Sequence, residues 1–197
     1  MGERWKAFHQ PIRIGDRLHV RPPWAEPAPA GVLDIAIDPG QAFGTGAHDT
    51  TRLCLELLLG LEPGGELMDL GCGSGVLAIA AAKLGWDPVR GVDHELESVE
   101  ATRENAAANG VEVEVSRFDL LRDGPAPTAP TVVANLLRPL LLAVARAGFR
   151  GDVPSRLIIS GLLREQADEA AAAFGAHGLQ EHARLAGGDW AAVLLCR

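Results

Sequence analysis

The sequence predicts an α/β protein built on one mostly parallel β-sheet with helices on both faces. The first observation is residues 66–80 (ELMDLGCGSGVLAIA), where an apolar strand, a turn with three glycines and an Ala/Leu-rich helix follow directly on one another. The second is the alternation of strand-like and helical patterns from Glu66 onward, which is typical of a parallel sheet. The third is the tail, residues 180–196, which reads as two strands joined at a glycine turn. This hairpin would close a doubly wound, three-layer sandwich of seven strands, the last of them antiparallel.

The N-terminal part of the chain is predicted to be an arm. Residues 11–20 suggest a short hairpin, a stiff proline-rich connector follows it, and residues 32–37 read as an edge strand. We therefore expect an N-terminal arm and proline-rich linker over residues 1–30. A single compact domain is expected over residues 31–197.

The segment at residues 38–51 (DPGQAFGTGAHDTT) is too rich in glycine for a helix and too long for a simple turn. One interpretation is a loop that ends in the N-cap of the next helix. The other is a glycine-hinged flap that folds over a ligand, with Phe43 as its lid and a threonine hydroxyl as a hydrogen-bond partner. His48 is expected to fix this flap rather than to transfer protons.

After the glycine turn, each element is predicted from its own pattern of apolar residues and end signals. The expected helices cover residues 76–84, 96–109 and 165–174, with a further helix from residue 139. The expected strands cover residues 88–93, 111–115, 131–137 and 156–161.

The glycine turn predicts a nucleotide-type ligand. Glycines allow the backbone to pass close to a ligand, and the first N–H groups of the following helix point toward the same place. The spacing is G-x-G-x-G, and Val76 stands where the dinucleotide fingerprint would have its third glycine. S-adenosylmethionine is therefore favoured over NAD, because a sulfonium ligand has no pyrophosphate to place at the helix start. Gly71 and Gly73 are the predicted cofactor-binding positions of this turn.

Acidic residues follow the next two strands at the same edge of the sheet. Asp93 comes about twenty residues after the glycine turn, where a carboxylate can accept hydrogen bonds from both ribose hydroxyls. Taken alone, an aspartate at the end of a strand is usually a helix cap, but its spacing from the glycine turn favours ribose binding for Asp93. Asp119 could meet the adenine amino group or could be a turn residue, and His94 could flank the adenine or be an ordinary surface histidine.

Composition excludes several classes of function. A net charge of −8 argues against a broad nucleic-acid surface and agrees with a basic protein substrate. No apolar run approaches the roughly 20 residues of a membrane helix, and the N-terminus lacks an apolar signal core. Three scattered cysteines fit reduced cytosolic thiols better than disulfides or zinc. We expect a cytoplasmic protein with no metal site and no membrane contact.

Three segments together resemble the ribosomal protein L11 methyltransferase (PrmA) family: residues 38–51, 69–75 and 133–137. The tail at residues 188–192 is similar too. The resemblance implies a Rossmann-like class I methyltransferase that uses S-adenosylmethionine and releases S-adenosylhomocysteine. It implies methylation of amino groups, on lysine side chains and the N-terminus, of a large-subunit ribosomal protein. The cofactor-binding residues that it implies are Thr51, Gly71, Asp93 and Asn135.

The chain departs from the family pattern in two places. Asp49 stands where the family normally has proline after the histidine. Family members also carry a separate N-terminal domain that grips the ribosomal protein, whereas this chain begins near the linker. A class I methyltransferase that acts on a different protein or on a small molecule is therefore the second hypothesis. An NAD-dependent oxidoreductase is a third, disfavoured by Val76 and by the absence of tyrosine, and a catalytically silent binding module is a fourth.

Asn135 is the predicted catalytic residue. Methyl transfer from a sulfonium is an in-line displacement that needs no metal and no covalent nucleophile, so alignment of the acceptor supplies much of the rate. An amine acceptor gains positive charge as it attacks, and nearby carbonyl oxygens stabilise that charge. Asn135, at the carboxyl end of a strand, can offer side-chain and backbone oxygens for this purpose. We expect it both to contact the cofactor and to orient the acceptor.

Overall fold

The computed structural model describes residues 10–38 and 49–197. Residues 39–48 of the predicted flap, with Phe43 and His48, lie outside these residues. In the described part of the chain the strands are β1 (Ile12–Ile14), β2 (Leu18–Arg21), β3 (Leu33–Ala36), β4 (Leu67–Leu70), β5 (Val89–Asp93), β6 (Glu114–Arg117), β7 (Thr131–Asn135), β8 (Arg156–Leu163), β9 (Gln180–Gly187) and β10 (Trp190–Cys196). The helices are α1 (Asp49–Leu59), α2 (Val76–Leu84), α3 (Leu96–Ala108), α4 (Arg138–Ala147) and α5 (Ala167–Gly175), with a 3-10 turn at Arg164–Gln166 before α5.

The main sheet has seven strands in the order β6-β5-β4-β7-β8-β10-β9. All neighbours run parallel except β10, which is antiparallel to both β8 and β9. The strand order reverses beside β4, because β5 lies on one side of it and β7 on the other. In open α/β sheets this switch point opens a crevice at the carboxyl ends of the strands. The predicted fold class is confirmed, including the antiparallel last strand.

Helices cover both faces of this sheet. Successive side chains of a strand point to opposite faces, so Val133 packs in the core beneath α1 and α2 while Val132 packs beneath α4 and α5. Both valines are almost fully buried. The result is the three-layer sandwich that the alternation of elements predicts.

The first three strands form a separate small sheet. β1 and β2 make the predicted antiparallel hairpin, and β3 lies parallel to β2. The strand predicted at residues 32–37 is thus present, but its hydrogen-bonded partner is β2 and not a strand of the main sheet. The predicted boundary between the N-terminal arm and the compact domain, at residues 30 and 31, falls between β2 and β3 of this small sheet. This boundary stays a prediction.

Two asparagines of α3 and its C-terminus attach the small sheet to the main domain. Asn109 Oδ1 accepts from the Ala36 N–H at 2.9 Å, and Asn109 Nδ2 donates to the Ala36 carbonyl at 2.7 Å. Asn105 accepts from the Asp38 N–H and donates to the Ser74 carbonyl of the glycine turn. The end of β3 is thereby connected through one side chain to the backbone of that turn.

Several element boundaries differ from the prediction by two residues or more; for example, β7 ends at Asn135 and not at residue 137, and β8 extends to Leu163 and not only to residue 161. The strand predicted at residues 111–115 begins only at Glu114, opposite Arg90 of β5. Val111 and Val113 pack half-buried against the core, so their alternation reflects burial and not pairing. The helix predicted at residues 165–174 begins as a 3-10 turn and becomes α-helical from Ala167.

Candidate functional site

A cavity of about 640 Å³ lies at the carboxyl edge of the sheet, around the switch point beside β4. The glycine turn after β4, the end of β5 and the end of β7 all contribute to its wall. All five predicted cofactor-binding residues line it: Thr51, Gly71, Gly73, Asp93 and Asn135. Residues that are far apart in the sequence are thus brought together by the fold. Their roles toward a cofactor remain a proposal.

The glycine turn needs its glycines for both conformation and space. Gly71 and Gly75 have φ angles of +72° and +83°, which side chains rarely allow. A Cβ at Gly75 would lie 2.7 Å from Thr102 Cγ2, and one at Gly71 would lie 2.4 Å from Leu136 Cδ2. Thr102 also donates from its hydroxyl to the Gly73 carbonyl at 3.0 Å. The turn therefore lies close against α3 on one side and Leu136 on the other.

Asp93 links the glycine turn to the segment before α3. Its Oδ2 accepts from the Gly73 N–H at 3.0 Å, and its Oδ1 accepts from the Glu95 N–H at 3.0 Å. The side chain is largely buried, at 8% exposure, yet it lines the cavity. Asp93 is not the N-cap of α3, because that position is Glu95 and α3 has no side-chain capping hydrogen bond there, so the helix-cap interpretation is wrong. Each carboxylate oxygen has a further lone pair that can accept a ligand hydroxyl.

Thr51 and Asn135 meet on the other side of the cavity. Asn135 Nδ2 donates to Thr51 Oγ1 at 3.3 Å, which joins the first turn of α1 to the carboxyl end of β7. Thr51 is buried, whereas Asn135 is partly exposed to the cavity. The amide nitrogen of Asn135 is thus engaged with Thr51, and its side-chain oxygen can accept further hydrogen bonds.

Asp119 and His94 line the cavity near the ends of β5 and β6. Asp119 Oδ1 accepts from the Leu121 N–H at 2.9 Å, so the interpretation as a turn residue describes its observed hydrogen bond. The His94 side chain is 63% exposed, and its Nδ1 lies 3.4 Å from Asp93 Oδ1. Contact of either residue with an adenine ring stays a prediction.

Asp69, at the end of β4, is a buried carboxyl group that the sequence did not single out. It is 1% exposed, and neither carboxylate oxygen has a hydrogen-bond partner of good geometry among the described residues. Burial raises its pKa from 3.8 to about 7, and the nearby charge of Asp93 adds to this, while the backbone amide of Ala78 opposes it. Asp69 therefore holds its proton well above the ordinary range for aspartate.

Cys72, which lines the cavity, and Cys54, which is buried in α1, are poor nucleophiles. Burial, together with the nearby charge of Asp69, raises the pKa of Cys72 to about 12. Burial also raises the pKa of Cys54. Because the thiolate is the reactive form, neither thiol is activated for covalent catalysis at neutral pH.

Sequence reasoning missed the apolar end of the cavity. Leu137 is 67% exposed there. The signal available in the sequence was the pair of leucines directly after Asn135. The missed apolar and small residues at this end, which come from three separate parts of the chain, are Leu136, Leu137, Leu140, Gly161 and Trp190.

Residues 10–38 and 49–197 hold neither a metal-binding cluster nor a membrane span. Within them no three His, Cys, Asp or Glu side chains are grouped so that they could hold a metal ion. In the same part of the chain, none of the helices combines the length and the apolar character that crossing a bilayer requires.

Known sequences of one family match the chain. Residues 2–197 match the sequence model of the family described as "Ribosomal protein L11 methyltransferase (PrmA)". A ribosomal protein L11 methyltransferase of Cupriavidus necator is 45% identical over 167 residues, which cover 84% of this chain and 55% of that protein. One of Azotobacter vinelandii is 42% identical over 178 residues, which cover 86% of this chain and 59% of that protein. The chain thus spans little more than half the length of these relatives.

Solved structures agree in fold. The crystal structure of a ribosomal protein L11 methylase from Lactobacillus delbrueckii subsp. bulgaricus superposes with a TM-score of 0.84 at 30% identity, covering 96% of this chain and 99% of that one. A tRNA (uracil-54, C5)-methyltransferase of Pyrococcus abyssi in complex with S-adenosyl-L-homocysteine has a TM-score of 0.64 at 18% identity, covering 95% of this chain and 44% of that one, which shows likeness of fold alone.

Proposed function

The chain belongs to the ribosomal protein L11 methyltransferase (PrmA) family, and we propose on that premise that it transfers methyl groups from S-adenosylmethionine to amino groups of a ribosomal protein. The acceptors are lysine side chains and the N-terminal amine. One observation carries the proposal: the five residues expected to hold the cofactor line a single cavity at the switch point of the sheet. A ribosomal protein as substrate also places the reaction in the cytoplasm.

The residues of the cavity suit the adenosine part of S-adenosylmethionine. Gly71 and Gly73 bring backbone, without side chains, to the cavity wall. Asp93 is held rigidly by two backbone N–H groups, and the remaining lone pairs of its oxygens can accept from the two ribose hydroxyls. The sulfonium group, when bound, supplies a methyl group already activated for transfer.

Asn135 orients the incoming amine. The hydrogen bond to Thr51 fixes the amide plane, so the Asn135 side-chain oxygen can accept a hydrogen bond from the acceptor nitrogen. That oxygen also stabilises the positive charge that develops on the nitrogen during attack. Thr51 thus acts through Asn135, in addition to its proposed contact with the cofactor.

The apolar end of the cavity helps the amine to react. Leu137, Leu140 and Trp190 line this end, and an apolar surrounding lowers the pKa of an ammonium group. The neutral amine, which carries the lone pair needed for attack, is therefore favoured there. No protein base has to remove a proton inside the site, because the proton can be lost to solvent before the amine enters.

Incubation of the chain with methyl-labelled S-adenosylmethionine and purified ribosomal protein L11 tests this function. We expect label in the ribosomal protein, at lysines or at the N-terminal amine when the product is digested and analysed by mass spectrometry. An Asn135→Ala variant, with its fold checked by circular dichroism, should transfer about a hundredfold more slowly. Label in a panel of other proteins or small amines, with none in the ribosomal protein, would overturn the assignment of the substrate.

A further inference from the structure

Strand β8 contains an irregularity at the edge of the cavity. Against β10, Ile159 pairs with Val193 and Leu162 pairs with Ala191, so two residues of β8 lie opposite one residue of β10. This is a β-bulge, and its second residue, Gly161, has a φ angle of +83°. Pairing of β8 with β7 ends one residue earlier, at Ser160. The bulge thus stands where the two strands separate and the cavity begins.

The backbone after β7 lies directly against this bulge. A Cβ at Gly161 would lie 2.1 Å from the carbonyl oxygen of Leu136, 2.6 Å from its carbonyl carbon and 3.0 Å from its nitrogen. These are main-chain atoms, so they cannot move aside as the tip of a flexible side chain would. The Leu136 N–H donates to the Ser160 carbonyl at 3.0 Å, which fastens the same peptide to β8.

Leu136 is also confined on its other side. Its Cδ2 occupies the space that a Cβ at Gly71 would need, at 2.4 Å. Leu136 is therefore held between the bulge of β8 and the glycine turn after β4, and it is largely buried. Its chain neighbours, Asn135 and Leu137, both line the cavity.

We propose that Gly161 is a positioning residue for methyl transfer. Because Gly161 has no side chain, the Leu136 backbone can lie directly against β8, and this fixes the position of Asn135, which faces the acceptor. This inference rests on the proposed function. Gly161 lines the same cavity but need not touch a substrate for this role. A side chain at this position would push the Leu136 peptide away from β8 and would carry Asn135 with it.

The expected effect concerns turnover more than cofactor binding. Displacement of a catalytic group by about 1 Å can cost about a hundredfold in rate. The opposite end of the cavity is formed by the glycine turn and Asp93, and the N–H groups that hold the Asp93 carboxylate belong to Gly73 and Glu95. Asn135 is only one of the five residues proposed to hold the cofactor, so we expect cofactor affinity to change less than kcat.

Gly178 offers a matched control. Its φ angle is +80°, within a few degrees of that of Gly161, and a Cβ there would meet nothing within 4 Å. It lies on the surface between α5 and β9. Gly178→Ala therefore places alanine at a similar positive φ to Gly161→Ala without the collision with Leu136.

The test compares the wild-type chain with Gly161→Ala and Gly178→Ala. Fold is followed by circular dichroism, affinity for S-adenosylhomocysteine by calorimetry, methyl transfer by kcat and KM, and the side-chain amide of Asn135 by NMR. For Gly161→Ala we expect a native fold, a cofactor Kd within about threefold of wild type, a shifted Asn135 amide resonance and a kcat lowered by about tenfold to a hundredfold. Gly178→Ala should leave the Asn135 resonance and kcat unchanged.

Three results would overturn the inference. The first is an unchanged kcat and Asn135 resonance in Gly161→Ala. The second is an equal effect of Gly178→Ala, since strain alone would then be the cause. The third is a Gly161→Ala variant that does not fold while Gly178→Ala does, because the glycine would then serve the fold. If the wild-type chain methylates nothing, the proposed function is wrong. The NMR resonance of the Asn135 amide then still tests whether Gly161 determines the position of Asn135.

Discussion

At the scale of single residues, Asp69 carries a consequence for stability. Its carboxyl group is enclosed by the sheet and helices, and burial raises its pKa from 3.8 to about 7. A carboxyl whose pKa is higher in the folded state binds its proton more tightly there than in the unfolded chain. Its contribution to the free energy of unfolding is therefore fully present below pH 3.8 and is lost as the pH rises toward 7.

Asp69→Asn should remove this pH dependence. The wild-type chain is expected to lose on the order of 2 kcal/mol more than the variant between pH 5 and pH 7, at roughly 1.4 kcal/mol per pH unit below the raised pKa. Urea unfolding of both proteins across this range measures the difference. The asparagine leaves the shape almost unchanged and cannot ionise, so other titrating groups cancel between the two proteins. Parallel pH profiles would show that Asp69 does not hold its proton in this way.

Residues of the cavity differ in how far the sequence could identify them. Gly71, Gly73 and Asp93 belong to a local pattern of strand, turn and strand. Their spacing alone therefore predicts that they lie close together at one edge of the sheet. Thr51 and Asn135 were reached through the family resemblance, and their hydrogen bond joins elements 84 residues apart. Gly161 and Trp190 come to the cavity through β8 and β10. Trp190 lies in the tail that resembles the family, but the resemblance assigned it no role, and nothing in the immediate sequence of Gly161 indicates a site.

At the scale of secondary structure, the strands of the main sheet were predictable because buried parallel strands read as continuous apolar runs. The run at residues 131–135 is such a case, with four of its five residues buried. The bounds of β6 were harder to predict, because this strand lies at the edge of the sheet and three of its four residues are exposed. The pairing of β3 with β2 could not be inferred, because the residue pattern of one strand does not determine which other strand it is hydrogen-bonded to.

The attachment of β3 to α3 yields a prediction about this element. Asn109 satisfies both the N–H and the carbonyl of Ala36, as a neighbouring strand would. Asn109→Ala should lower the free energy of unfolding by about 1–3 kcal/mol, because two backbone groups lose their partners. It should also speed hydrogen exchange of the Ala36 amide, which NMR can follow.

Glu104→Ala is the control for that change. Glu104 is exposed on the same helix, and alanine is a good helix former. It should leave both the stability and the exchange of the Ala36 amide nearly unchanged. Equal exchange of Ala36 in Asn109→Ala and in the wild-type chain would contradict the role assigned to the asparagine.

At the scale of the whole molecule, the two ends of the cavity arise in different ways. The cofactor end is formed by consecutive strands β4 and β5 and the turns that follow them, so the sequence predicts its chemistry directly. The acceptor end gathers Leu137, Gly161 and Trp190 from three strands or their ends, through the order β7-β8-β10 of the sheet. That end depends on the tertiary fold, and for this reason its apolar character was not predicted.

The central claim is that S-adenosylmethionine lies across the switch point with its ribose on Asp93. Calorimetric titration of S-adenosylhomocysteine into the wild-type chain, Asp93→Ala and the exposed control Asp152→Ala tests it most directly. Two hydrogen bonds to a charged carboxylate contribute about 1.5–3 kcal/mol each, so Asp93→Ala should bind about a hundredfold more weakly or worse, while Asp152→Ala binds as the wild type does. No binding to the wild-type chain, or equal binding by Asp93→Ala, would contradict the claim.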